Sequence, residues 1–126
     1  MKRLVCAAAI LVLVFAGTLY TGEYLSGLVG GSRDDLIHSG ELAEQGDWAQ
    51  ALRITEQAYS AWLENDFWLH VLLHHKDIDG VLLSFYEVRE YLKLAEPDQY
   101  TAANARLVAQ LQLLIESEQL TVKNVL

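Results

Sequence analysis

Cysteine, proline and positive charge are all scarce in this chain of 126 residues, and each shortage closes off a class of protein. The single cysteine, Cys6, can form neither an internal disulfide nor a cysteine-based zinc site. One proline and eight glycines without a period exclude fibrous chains. Nine Lys and Arg against 17 Asp and Glu give a net charge of −8, which argues against the basic face that nucleic acid requires. A phosphate loop is missing too, because the segment GLVGGS at 27–32 lacks the lysine and the preceding strand. No serine sits in a nucleophile-elbow context. What the chain does have is apolar residues: 52% are hydrophobic, enough for one small packed domain and too many for a disordered chain.

The charges are unevenly placed. Lys2 and Arg3 precede nineteen uncharged residues, 4–22, and Glu23 is the first acidic residue. A helix of that length, at about 1.5 Å per residue, matches the roughly 30 Å hydrocarbon layer of a bilayer. The run predicts a transmembrane anchor through residues 4–22, with Tyr20 and Tyr24 at the interface. Basic residues on its N-terminal side only predict a cytoplasmic N-terminus, a single pass through the cytoplasmic membrane and an extracytoplasmic C-terminal domain. Cleavage of a signal peptide near Val14-Phe15-Ala16 is the alternative, and the apolar residues beyond that site favour an uncleaved anchor. From Glu23 onward seven basic residues face all 17 acidic ones, a net charge of −10. Such a domain should stand off anionic lipid, with the glycines of 25–32 as its hinge. The expected organisation is anchor 1–24, hinge 25–32 and helical domain 33–126.

Beyond the glycines, helix signals recur and strand signals do not, so the expected class is all-α. Ser32 and Asp35 have capping-box spacing, and Leu36, Ile37, Gly40 and Ala43 share a face that Gly46 ends. Asp47 is placed to cap a second helix, whose apolar stripe comprises Trp48, Ala51, Leu52, Thr55, Ala58, Tyr59, Trp62 and Leu63. Asn65-Asp66 punctuates the chain. A long helix is expected from 67 to about 94, with Trp68, Val71, Leu72, His75, Ile78, Leu82, Phe85, Val88 and Leu92 inward. After the turn at Pro97, a last helix carries Tyr100, Ala103, Leu107, Leu111 and Leu114, and Thr121 is expected to cap a separate final turn. The helix starts at 46–52 and 98–103 are weakly tetratricopeptide-like. They lie 52 residues apart rather than roughly 34, so the expectation is about four helices in two hairpins, not a repeat array.

Taken together, the order of these features is familiar: an apolar helix led by Lys2 and Arg3, a Gly46-Asp47-Trp48 helix start with Trp62 at its far end, and a histidine-rich acidic segment at 74–79. The run EVREYLK at 87–93 and the ending LTVKNVL at 120–126 follow. The chain resembles the bacterial domain-of-unknown-function family DUF4363, small membrane-anchored proteins of Gram-positive, often spore-forming bacteria. The resemblance implies a helical extracytoplasmic domain on a membrane anchor, and it supplies no catalytic residues.

Histidine is the only chemistry-bearing cluster. His70 and His74 are spaced to share a helix face with Asp77, and His75 pairs with Asp79 in the same way. Imidazole and carboxylate at this spacing can chelate a divalent ion. There is no His-Glu-x-x-His pattern, and a further ligand would have to come from a distant residue such as His38. The simpler reading puts His75 on the apolar stripe, hydrogen-bonded to Asp79 or a tyrosine, and leaves His70 and His74 solvated. No metal site is therefore favoured, with His70, His74, His75 and Asp79 as weak candidates, and no cofactor or catalytic residue is assigned. Aromatic side chains are assigned mainly to the core. Phe67 falls off the stripe and is the candidate exposed contact. The expected function is a non-enzymatic binding or scaffolding module for another membrane or extracytoplasmic protein. The alternative is a small sensor or ligand-binding domain built on 70–79.

Overall fold

The computed structural model describes every residue except His74 and Leu126, and the side chains of residues 18, 21, 22, 72, 75 and 118–125 lie outside the description. Among the described residues there are five helices and no strand: α1 Lys2–Glu44, α2 Trp48–Glu64, α3 Asp66–Leu72, α4 His75–Lys93 and α5 Pro97–Val125. The all-α expectation holds. Four long helices pack in a ring in which α1 touches α2, α2 touches α4, α4 touches α5 and α5 returns to α1. The short helix α3 joins α2 to α4 across one end.

The first body helix is not separate from the apolar run. Helix α1 is continuous over 43 residues, about 65 Å at the usual rise. Residues 25–32 are therefore helix and not a hinge, and Ser32 is an interior residue rather than a cap. The reason is packing. Leu25, Val29, Ser32 and Leu36 follow one another at three- and four-residue steps and are all buried, which outweighs the low helix propensity of Gly27, Gly30 and Gly31. Among the described residues no helix is long and apolar enough to cross a membrane. The uninterrupted described part of the run, 4–17, covers about 21 Å, short of the roughly 30 Å hydrocarbon layer. The span expected over 4–22 does not follow from those side chains. The apolar residues Leu4, Val5, Ile10, Leu11, Leu13 and Val14 project from α1 beyond the bundle and are exposed.

Two helix ends are fixed by the same device. After α1, Gly46 adopts a positive φ of 86°, its N–H bonds the carbonyl of Ala43, and the N–H of Asp47 reaches that of Leu42. Asp47 then accepts from the N–H of Gln50 at 3.2 Å and opens α2, as its sequence position predicts. After α4, Ala95 takes the left-handed position at φ 51°, with its N–H on Leu92 O and that of Glu96 on Tyr91 O.

The core runs along the axis of the ring. The stripe of α5 is inward as expected, with Tyr100, Ala103, Leu107, Leu111 and Leu114 all buried. From α2 come Ala51, Thr55, Ala58 and Trp62, and from α4 Ile78, Val81, Phe85, Val88 and Leu92. Phe85 lies 5.9 Å from Trp62 and 5.7 Å from Tyr59 between ring centroids. The long helix expected over 67–94 is broken at Leu73, which is extended at φ −114° and ψ 164°. This break changes which residues face inward: Leu69 is fully buried, whereas Trp68 and Val71, expected in the core, are exposed. Helix α5 continues to Val125, so Thr121 caps no separate turn.

Candidate functional site

Three clusters merit a chemical reading. The first is a buried group of hydroxyls where α1, α2 and α5 meet. Ser39 Oγ lies 2.8 Å from the carbonyl of Ala51, 2.9 Å from Thr55 Oγ1 and 3.1 Å from Tyr100 Oη. A carbonyl can only accept, so the single Ser39 proton goes to Ala51, and Thr55 and Tyr100 donate to the Ser39 lone pairs. Tyr100 is further held by Trp48, edge-on at 5.8 Å, and burial pushes its phenol above the ordinary range. Nearby, Asn104 Nδ2 donates to the carbonyl of Leu36 at 3.0 Å. No acid or base is among these partners, and the serine proton is committed to a carbonyl. The arrangement clamps three helices and does not activate a nucleophile.

The second cluster surrounds His70. Its Nδ1 donates to the carbonyl of Asp66 at 2.9 Å and lies 3.1 Å from Asp66 Oδ1, while Nε2 is 3.8 Å from Asp79 Oδ1. His70 is thus held between two helices and not simply solvated. The hydrogen bond to the Asp66 carbonyl, aided by the two carboxylates, raises its pKa above the ordinary imidazole value against a smaller opposing desolvation. The helix that carries His70 ends at Leu72. Asp79, the expected partner of His75, lies within reach of His70. His74 and the side chain of His75 lie outside the described residues. Among the described residues no three His, Cys, Asp or Glu side chains are grouped to hold a metal ion.

The third cluster is the corner between α2 and α3. Asn65 Nδ2 donates to the carbonyl of Ala61 at 2.8 Å, and its Oδ1 accepts from Tyr24 Oη at 2.8 Å. Next to it Phe67 is 70% exposed and Trp68 52% exposed, their rings 5.5 Å apart and edge-on. Phe67, the candidate exposed contact, is thus on the surface with an aromatic neighbour. A shallow crevice at the same end is lined by Leu25, Ser26, Val29, Leu73, Leu114 and Ile115. The buried hydroxyl group went unread in the sequence, although Ser39 stands three residues after Leu36 and four before Ala43, squarely on the inward stripe.

The fold defines a class: an antiparallel four-helix bundle closed at one end by a short crossing helix, with hydroxyls buried at its centre. The chain belongs to the family described as domain of unknown function (DUF4363), whose model matches residues 20–125. No curated protein and no solved structure matches the chain.

Proposed function

We propose that this protein is a non-enzymatic helical module, anchored by residues 4–22 in the cytoplasmic membrane with its N-terminus inside, whose bundle binds or scaffolds another protein on the outer face. The observation that carries the reading is the continuity of α1. Nineteen uncharged residues led by Lys2 and Arg3 pass without a break into a helix that forms one wall of the bundle. In the full sequence this run has the length of a bilayer span and the flanking charge of an inward N-terminus. Exposed apolar side chains on the bundle, such as Leu83 and Tyr86 three residues apart on α4, offer a surface for a protein partner.

A C-terminal alkaline phosphatase fusion tests the topology: it is expected to be active and to fractionate with membranes. A soluble secreted product would support cleavage, and an inactive fusion would overturn the orientation. Crosslinking and pull-down from native membranes is expected to recover a protein partner. A sensor reading has one observation in its favour, the His70 imidazole between Asp66 and Asp79, which gives the α3–α4 junction a response to pH.

A further inference from the structure

We propose that the exposed face of α3, formed by Phe67, Trp68 and Val71, is seated in the interfacial layer of the same membrane, so that the bundle rests on the bilayer through this corner. The proposal rests on the anchored reading above. It is carried by where the face lies. Helix α3 is only seven residues long, and Leu69 is fully buried within it, which fixes the outward direction of the three exposed apolar side chains. The Tyr24–Asn65 hydrogen bond pins the start of α3 beside a residue two positions after the uncharged run ends at Gly22. At its other end Leu73 shares a crevice with Leu25, Ser26 and Val29. The apolar face of α3 is therefore held at both ends to the segment of α1 that would emerge from the bilayer. With no hinge at 25–32, α1 carries the bundle as a rigid continuation of the anchor.

Chemistry selects the occupant. Tryptophan and tyrosine favour the membrane–water interface, where the ring is shielded and the polar edge stays hydrated. Tyr24, which bonds Asn65 beside α3, and Tyr20, four residues earlier on α1, are both exposed and would join the three side chains in the interfacial layer. The charged residues adjacent in sequence to these side chains, Glu23, Glu64 and Asp66, are acidic, with His70 paired to Asp66, which disfavours anionic headgroups and points to a neutral, zwitterionic interface.

The test uses the full chain reconstituted in phosphatidylcholine vesicles whose acyl chains carry bromine near the headgroup, read by tryptophan fluorescence. Trp62 is buried in the core, and Trp48 opens α2 about 24 Å from Glu64 along the helix axis. Trp68 is therefore the fluorophore that bromine reaches. The expected result is flotation with the vesicles, quenching of the wild type and loss of that quenching in Trp68→Phe, with unchanged helical circular dichroism. Flotation with equal quenching in both proteins, or with none in either, would overturn the proposal and leave the anchor standing. So would undiminished access of aqueous iodide to Trp68 in the vesicles, the result expected if this face serves a protein partner. Failure to float would remove the anchor and the proposal together.

Discussion

Tyr24 and Asn65, 41 residues apart in sequence, are joined by a 2.8 Å hydrogen bond from the phenol to the side-chain carbonyl. The bond ties the corner where α2 gives way to α3 to the point on α1 where the apolar run meets the bundle. The apolar run and the body are thus linked twice at this level, through the unbroken backbone of α1 and through a side-chain contact across to the end of α2.

The glycines of α1 supply a direct check on its continuity. A Cβ built at Gly27 or Gly31 meets nothing within 4 Å, and both are interior helix positions. Gly27→Ala and Gly31→Ala are each expected to stabilise the protein, by up to about 1 kcal/mol, because alanine is the better helix former. Denaturant unfolding of the purified chain in detergent measures this. No gain from either change would point to a flexible segment.

Ala95 presents the opposite case. It holds the left-handed position that ends α4 at φ 51°, where a Cβ is strained and glycine is not. Ala95→Gly is expected to raise stability by about 1 kcal/mol in the same assay, and a loss of that size would refute the turn geometry.

The hydroxyl clamp predicts graded losses. Tyr100→Phe leaves one Ser39 lone pair unmatched and is expected to cost about 1 kcal/mol. Ser39→Ala strands the Thr55 and Tyr100 hydroxyls together and is expected to cost about 2–3 kcal/mol. The double variant should lose less than the sum, since both changes act on one network. Strict additivity would mean that the two hydroxyls do not share a bond.

His70 gives a pH dependence whose sign follows from geometry. Its folded pKa is raised, chiefly by the bond to the Asp66 carbonyl, so the charged form is favoured by folding. The stabilisation is complete below the ordinary imidazole pKa and disappears as pH rises through the raised folded value. His70→Gln should therefore lower the melting temperature more at about pH 5.5 than at about pH 8.5. A gap of equal size at both pH values would show that folding does not favour the charged ring.

Much of the bundle was legible in the residue pattern, and the misses have specific causes. The stripe of α5, and that of α2 except Leu63, which is exposed at the helix end, read correctly because Asp47, Gly46 and Pro97 mark starts and stops by local chemistry. Three glycines announce flexibility locally at 25–32, whereas what holds this segment is distant in sequence: Leu25 and Val29 line a crevice with Leu114 and Ile115 of α5, and Arg33 bonds Gln112. The break at Leu73 carries no glycine or proline, so nothing in the segment warned that Trp68 and Val71 would turn outward. His70 follows from that error, since its partner Asp79 comes within reach only because the helix bends between them. The buried hydroxyls were invisible for another reason: serine and threonine on an apolar stripe look like dilution of the core until their partners are seen.

The central claim is that the apolar run continues as one rigid helix into the bundle, and a distance across residues 25–32 tests it most directly. Spin labels at Glu23→Cys and Glu44→Cys, both exposed positions, in a Cys6→Ala background would be measured by pulsed electron–electron double resonance in vesicles. Twenty-one helical steps place the two backbones about 32 Å apart. A single narrow distribution near that separation is the predicted result, and a broad distribution or one centred well below it would contradict the account.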